Sequence, residues 1–193
     1  IDEVGRGPLA GPVAVGVVAV SRSFNARNKN FFKGVKDSKQ LSPREREQWF
    51  LKIKSERKKG DMRFVVCFSG SKMIDRKGIV FATKSALNRA LLKLSLPPDV
   101  CRVLLDGGLT APPTFKKQET IIRGDEKEPL ISLASIVAKV LRDRKMIRFS
   151  RQYPMYNFDA HKGYGTALHL QKIRKHGPCV LHRRTFLREG LTP

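Results

Sequence analysis

Residues 11–20, GPVAVGVVAV, are apolar at nearly every position and rich in valine. A strand with one wet face would alternate polar and apolar side chains. This run does not, so it reads as a strand buried on both faces. Such a strand needs cover on both sides, and 193 residues suffice to supply it within one ordinary domain.

The rest of the chain offers the cover. Residues 21–34 read as a polar, basic loop. Ser42-Pro43-Arg44-Glu45 has capping-box spacing with proline at the first helical position, which predicts a helix whose inner stripe is Trp49, Phe50 and Ile53. Residues 63–68 form a second strand. A helix follows over 79–94, with Ile79, Ala82, Ala86, Leu87, Ala90, Leu91 and Leu94 inward. Short strands at 101–105 and 120–122 end on Asp106-Gly107-Gly108 and Arg123-Gly124-Asp125. A long helix over 129–146 starts apolar and turns basic, and a last helix covers 166–175. Strands alternating with helices give an α/β class.

Charge limits the partner. Lys and Arg number 39 against 17 Asp and Glu, a net charge of +22 spread along the chain. A polyanion partner follows, nucleic acid before an anionic membrane surface. No apolar run approaches the ~20 residues of a membrane span, so no membrane role is expected. The three cysteines, Cys67, Cys101 and Cys179, have neither zinc spacing nor a disulfide framework and read as reduced thiols of a cytoplasmic protein. The chain lacks an initiator methionine and a signal peptide, and reads as clipped from a longer frame.

Within this basic chain the acids stand out. Asp2-Glu3 opens it, and Asp106 and Asp125 end putative strands, where one rim of a sheet gathers side chains from distant segments. Carboxylates alone would repel phosphate; Mg²⁺ or Mn²⁺ held between them resolves the conflict. The same acids could equally be turn and surface residues, and spacing alone leaves both readings open. Gly5-Arg6-Gly7 fits the dinucleotide fingerprint poorly, because the next glycine, Gly11, comes one residue late after a proline. It reads as a tight turn exposing its backbone, or simply as a link between strands. In His161-Lys162-Gly163-Tyr164-Gly165-Thr166 a tyrosine between glycines could stack on a sugar or base, or anchor a loop. His169, His176 and His182 lack metal spacing and read as helix-surface or tail positions.

Six blocks occur in an order that resembles the bacterial ribonuclease HII family, the type 2 ribonucleases H. They are IDEVGRGPLAGPV at the start, KDSKQLS at 36–42, VLLDGG at 103–108, IIRGDEKEPLISLASIVAKVLRDRKM at 121–146, YPMYNFDAHKGYGTALHL at 153–170 and HGPCVLHRRTF at 176–186. The resemblance implies an RNase H-like fold, a central mixed sheet flanked by helices, over residues 1–160, with a C-terminal helical extension over 161–193. It implies a monomeric endoribonuclease that hydrolyses the RNA strand of RNA–DNA hybrids. Such an enzyme also cuts 5′ to single ribonucleotides in duplex DNA, by two-metal catalysis. On this resemblance Asp2, Glu3, Asp106 and Asp125 hold Mg²⁺ or Mn²⁺; Gly5, Arg6 and Gly7 feel the 2′-hydroxyl at the RNA-to-DNA junction. Tyr164 stacks on the neighbouring deoxyribose and Lys39 contacts phosphate. Arg183 and Arg184 are expected to grip phosphates, and Asp143 is assigned to its helix rather than to the metals. The family carries further apolar residues ahead of Ile1, and often lysine where Arg123 stands. Residues 190–193 show no sliding-clamp peptide. A truncated, non-catalytic basic nucleic-acid-binding domain and another RNase H-like metal nuclease are the competing readings.

Overall fold

In a computed structural model, which describes residues 1–187, the valine-rich run sits at the middle of the fold. Strand β1 (Asp2–Val4) pairs antiparallel with β2 (Val13–Val20), with Asp2 opposite Gly16 and Glu3 opposite Val15. After α1 (Arg22–Arg27) and α2 (Pro43–Lys58), β3 (Met62–Ser69) lies antiparallel along the whole of β2. Helix α3 (Ser71–Leu94) leads to β4 (Arg102–Asp106) and β5 (Lys117–Ile121), a parallel pair. Two bonds join the ladders: the Ile1 nitrogen donates to the Leu104 carbonyl at 2.8 Å, and the Asp106 N–H to the Ile1 carbonyl at 3.0 Å. That slanted pattern is parallel pairing and sets Ile1 beside Leu105. The order is therefore β3-β2-β1-β4-β5, a mixed sheet. Helices α4 (Gly124–Lys127), α5 (Pro129–Gln152), α6 (Phe158–His161) and α7 (Ala167–His176) follow among the described residues.

Both faces of β2 are covered, as its sequence demands. On one, Ala86, Leu87, Ala90, Leu91 and Leu94 of α3 pack on Val15, Val17, Cys67, Val103 and Leu105. On the other, Trp49, Phe50 and Ile53 of α2 join Leu133, Ile136, Val137 and Val140 of α5 over Met62 and Phe64. Each large side chain so buried contributes roughly 1.5–3 kcal/mol. Gly16 decides how near α5 comes, because a Cβ there would run into the Ala134 carbonyl oxygen.

The predicted capping box forms: Ser42 Oγ accepts from the Glu45 N–H, and the Glu45 carboxylate accepts from the Ser42 N–H at 2.7 Å. Other expectations need correction. The supposed loop over 21–34 holds α1 and a 3-10 turn at Lys29–Phe32, whose Phe24, Phe31 and Phe32 rings pack edge-on with one another, Phe31 also meeting Trp49. One buried and two half-buried phenylalanines in a six-residue helix and one turn leave no helical period to read. Helix α3 begins eight residues early and crosses a kink at Gly78, where φ is 80°. Helix α5 runs on to Gln152, and β5 starts at Lys117, three residues ahead of the expected strand at 120–122.

The last segment folds back on the first. Ala10 bridges His182, the Gly11 N–H donates to the Leu181 carbonyl and the Arg183 N–H to the Leu9 carbonyl, both at 2.8 Å. Tyr156 and Phe158 pack with Ala10 and Met146 beneath this crossing. Residues 188–193 of the expected extension, including the four searched for a clamp peptide, lie outside the described residues.

Candidate metal and nucleic-acid site

Strand register assembles the acids. Pairing of β1 with β2 puts Asp2 on the α5 face of the sheet with Gly16, and the parallel step of β4 beside β1 brings Asp106 to the same face. Oxygens of Asp2, Glu3 and Asp106 lie within 4.8 Å of one another. Asp125 is drawn in by backbone: Asp106 Oδ1 accepts from the N–H groups of Gly124 at 2.7 Å and Asp125 at 3.4 Å. Its own carboxylate accepts from Lys39 Nζ at 3.1 Å. Three of the four predicted acids thus share one ligand-sized space, and the fourth stands beside it paired to Lys39.

Sequence reasoning missed the supports of this cluster. The Ser135 and Ser38 hydroxyls lie 2.7 Å apart and buried, Ser135 facing Asp2. Asp37, also buried, accepts from the Lys39 N–H at 3.2 Å and shapes the loop that carries Lys39. Arg46 Nη1 donates to the Ser38 carbonyl at 2.8 Å and holds the same loop. The KDSKQLS block contained all but two of these residues, and only their short spacing hinted at a common task.

Electrostatics mark the cluster as short of positive charge. Burial pushes the Asp2 carboxyl up to about 8, the Ser135 hydroxyl opposes this, and the charges of Glu3 and Asp106 add to the rise. Burial also raises Glu3, although Arg6 Nη1 pairs with its Oε1 at 3.1 Å. Glu3 Oε2 is buried with no hydrogen-bond partner. Among the described residues no ion pair reaches Asp2 or Asp106. Clustered carboxylate oxygens, one of them orphaned, are the donor set of a hard divalent cation, and the residues fit one.

Beside the acids lies the Gly5-Arg6-Gly7 turn. Gly5 has φ +88°, and a Cβ there would run into the Arg142 guanidinium. Arg6 and Gly7 are exposed, and nothing crowds Gly7. Arg183 donates to the carbonyls of Gly5 and Arg6, both at 2.6 Å, and of Gly11 at 3.0 Å. Arg142 donates to the carbonyls of Pro12 at 2.9 Å and Lys162 at 3.1 Å. The expectation that Arg183 grips phosphate is therefore wrong, because its side chain is fully buried against backbone; Arg184 is exposed. A second correction concerns His169 and His182, which are buried in contact at 3.1 Å rather than on the surface. His176 is exposed as expected. Asp143 pairs with Lys139 within α5 at 3.1 Å. Tyr164 as a residue is 40% exposed, with the Lys139 and Arg142 cationic groups 6.0 Å and 5.8 Å from its ring centroid.

The family profile described as Ribonuclease HII matches residues 1–189. A ribonuclease HII of Caldicellulosiruptor bescii is 42% identical over 192 residues, 100% of this chain and 87% of that protein. Among solved structures, the ribonuclease H2 from Pyrococcus horikoshii superposes with a TM-score of 0.68 at 25% identity, covering 95% of this chain and 90% of that one. An RNase HIII (Bst-RNase HIII) solved in complex with Mn²⁺ superposes with a TM-score of 0.70 at 19% identity, covering 95% and 65%. The last likeness concerns the fold.

Proposed function

Because the chain belongs to the ribonuclease HII family, and so is a metal-dependent type 2 endoribonuclease H with an RNase H fold, we propose that it hydrolyses the RNA strand of RNA–DNA hybrids. We propose further that it cuts 5′ to single ribonucleotides in duplex DNA. The observation that carries the reading is the carboxylate cluster of Asp2, Glu3 and Asp106 beside an exposed, side-chain-poor turn in a protein of net charge +22.

Asp2, Glu3, Asp106 and Asp125 would hold Mg²⁺ or Mn²⁺ ions, with support from the Mn²⁺ in the RNase HIII likeness. Held by these four carboxylates, two such ions would provide for activation of a water and for stabilisation of the leaving 3′-oxygen, consistent with 5′-phosphate and 3′-hydroxyl ends. Asp106 also receives the Gly124 N–H, so it anchors the turn that brings Asp125 to the rim. Lys39, 3.1 Å from Asp125 and largely exposed, holds that carboxylate and offers charge to a phosphate. The peptide groups of Gly5, Arg6 and Gly7 present hydrogen-bonding atoms to a 2′-hydroxyl, the group that separates RNA from DNA. Arg6 covers Glu3 and reaches toward the backbone of the nucleic acid. Tyr164 offers its exposed face to the deoxyribose on the far side of the junction. Residues 161–193 act as an extension of the 1–160 core that brings this ring to the turn, and the enzyme works as a monomer.

The experiment is a duplex DNA with one embedded ribonucleotide, incubated with Mg²⁺ or Mn²⁺ and mapped for cuts. A single cut 5′ to the ribonucleotide is expected. Asp106→Asn should bind the same duplex and cleave it about 10³-fold more slowly. Substantial turnover by that variant, or cutting of plain DNA, would overturn the assignment.

A further inference from the structure

Tyr164 is held by a relay of imidazoles that the hydrolytic chemistry does not use. His169 Nδ1 lies 2.9 Å from the Tyr164 carbonyl oxygen, and His169 Nε2 lies 3.1 Å from His182 Nε2. His182 Nδ1 accepts from the Cys179 N–H at 2.9 Å. These partners fix the tautomers. A carbonyl only accepts, so His169 carries its proton on Nδ1 and leaves Nε2 bare. A backbone N–H only donates, so His182 has a bare Nδ1 and its proton on Nε2. The two assignments, made from opposite ends, meet as one donor facing one acceptor.

A third ring braces the pair. His161 stacks on His169 with centroids 4.1 Å apart, its Nε2 donating to the Tyr156 carbonyl at 2.8 Å and its Nδ1 accepting from the Gly163 N–H at 3.2 Å. All three rings are buried, and burial pushes His169 and His182 each down to about 4, so the relay is neutral at neutral pH. The next residue in the chain is Arg183, whose guanidinium holds the carbonyls of Gly5 and Arg6. One dipeptide, His182-Arg183, therefore reaches the tyrosine loop with one side chain and the glycine turn with the other. Its backbone is pinned between them, since Leu9 accepts from Arg183 and donates to the Gly163 carbonyl at 2.8 Å.

We propose that His182, acting through His169, is a positioning residue that sets where Tyr164 stands relative to the Gly5–Gly7 turn, and thereby the enzyme's discrimination of the RNA-to-DNA junction. The proposal rests on the reading that the turn and the ring recognise the two sides of that junction.

The test compares cleavage of one embedded ribonucleotide with cleavage of an all-RNA strand in a hybrid, as a ratio of kcat/KM within each variant. Loss of folded protein cancels in such a ratio. His182→Phe keeps a ring and removes the proton aimed at His169; the ratio should fall about tenfold, mostly through kcat/KM on the embedded ribonucleotide. His182→Gln, which can return an N–H toward His169, should recover most of it. Combining His182→Phe with Tyr164→Ala should lower the ratio no further than Tyr164→Ala alone, because the two act in series. Should His182→Phe fail to fold, His169→Gln, which keeps an acceptor for His182 and loses the donor to Tyr164, is judged by the same ratio. A ratio unmoved by breaking the relay while Tyr164→Ala lowers it overturns the proposal alone. An unmoved ratio in Tyr164→Ala overturns the junction reading beneath it.

Discussion

Replacing Asp2 with asparagine should stabilise the metal-free protein while destroying its activity, and the pH at which the gain appears follows from the carboxylate cluster. In the unfolded chain the group titrates near its ordinary 3.8; in the folded protein burial, Glu3 and Asp106 move it to about 8. Below pH 4 both states hold the proton and the carboxyl makes no difference. Between 4 and 8 the unfolded chain has released the proton and the folded protein has kept it, so stability falls by up to about 1.4 kcal/mol per pH unit. The whole interval corresponds to roughly 5–6 kcal/mol, and relaxation of the site and entry of water reduce the loss actually felt. Asparagine has no proton to lose and keeps a hydrogen-bonding edge for Ser135. Urea unfolding in EDTA should therefore find the two proteins equal near pH 4.5 and Asp2→Asn more stable by about 2–4 kcal/mol at pH 8. Titrating groups remote from the cluster are shared and cancel in the difference, whereas the Ile1 ammonium and Lys39, both held up by the Asp2 charge, shift with it and soften the slope. Adding Mn²⁺ should then raise the wild-type midpoint with concentration, and the variant's far less. Parallel pH profiles, or a variant weaker than wild type at pH 8 in EDTA, would refute the argument that the acids strain the fold when no cation is bound.

Three further outcomes follow. Gly16→Ala should lower stability by about 2 kcal/mol, or about 4–8 °C in Tm, since its Cβ meets the Ala134 carbonyl; an unchanged melting curve would show that α5 can shift freely. Lys39→Ala should weaken binding of a hybrid and reduce the slope of log K against log salt by about one phosphate contact, with sequence preference unaltered; an unchanged slope would remove Lys39 from the interface. On the acid side, the depressed His169 and His182 stabilise the fold above pH 6.5, and that contribution drains away as pH falls toward 4, by up to about 1.4 kcal/mol per pH unit for each ring. Unfolding in urea across this range should show the loss, and His182→Phe should flatten it.

The parts of this protein legible in its sequence are those with a strong local signature. GPVAVGVVAV announced a two-sided strand because no position offered a polar alternative, and Ser42 to Glu45 announced a helix start because capping is decided within four residues. The acids were legible as candidates, yet their convergence depends on β1 lying beside β4, a contact between residues about a hundred positions apart. The resemblance, not the spacing, chose between metal ligands and turn acids. Arg183, His169 and His182 were misread for one reason. A basic residue in a basic tail looks the same whether it faces solvent or a row of carbonyls, and the carbonyls belong to Gly5, Arg6 and Gly11, at the opposite end of the chain. Phe24 and its neighbours failed for another, since aromatic packing on a single helical turn has no period.

Gly16 stands opposite Asp2 and carries no chemistry, yet it sets the gap into which Ser135 is brought. A glycine codon has no silent escape in this respect. Every single-nucleotide change that alters the residue, whether to alanine, serine, valine, cysteine, arginine, aspartate, glutamate or tryptophan, adds the one carbon for which there is no room. Position 16 is therefore isolated in mutational space: drift there requires the helix to move first, and the helix carries the hydroxyl that faces the acids.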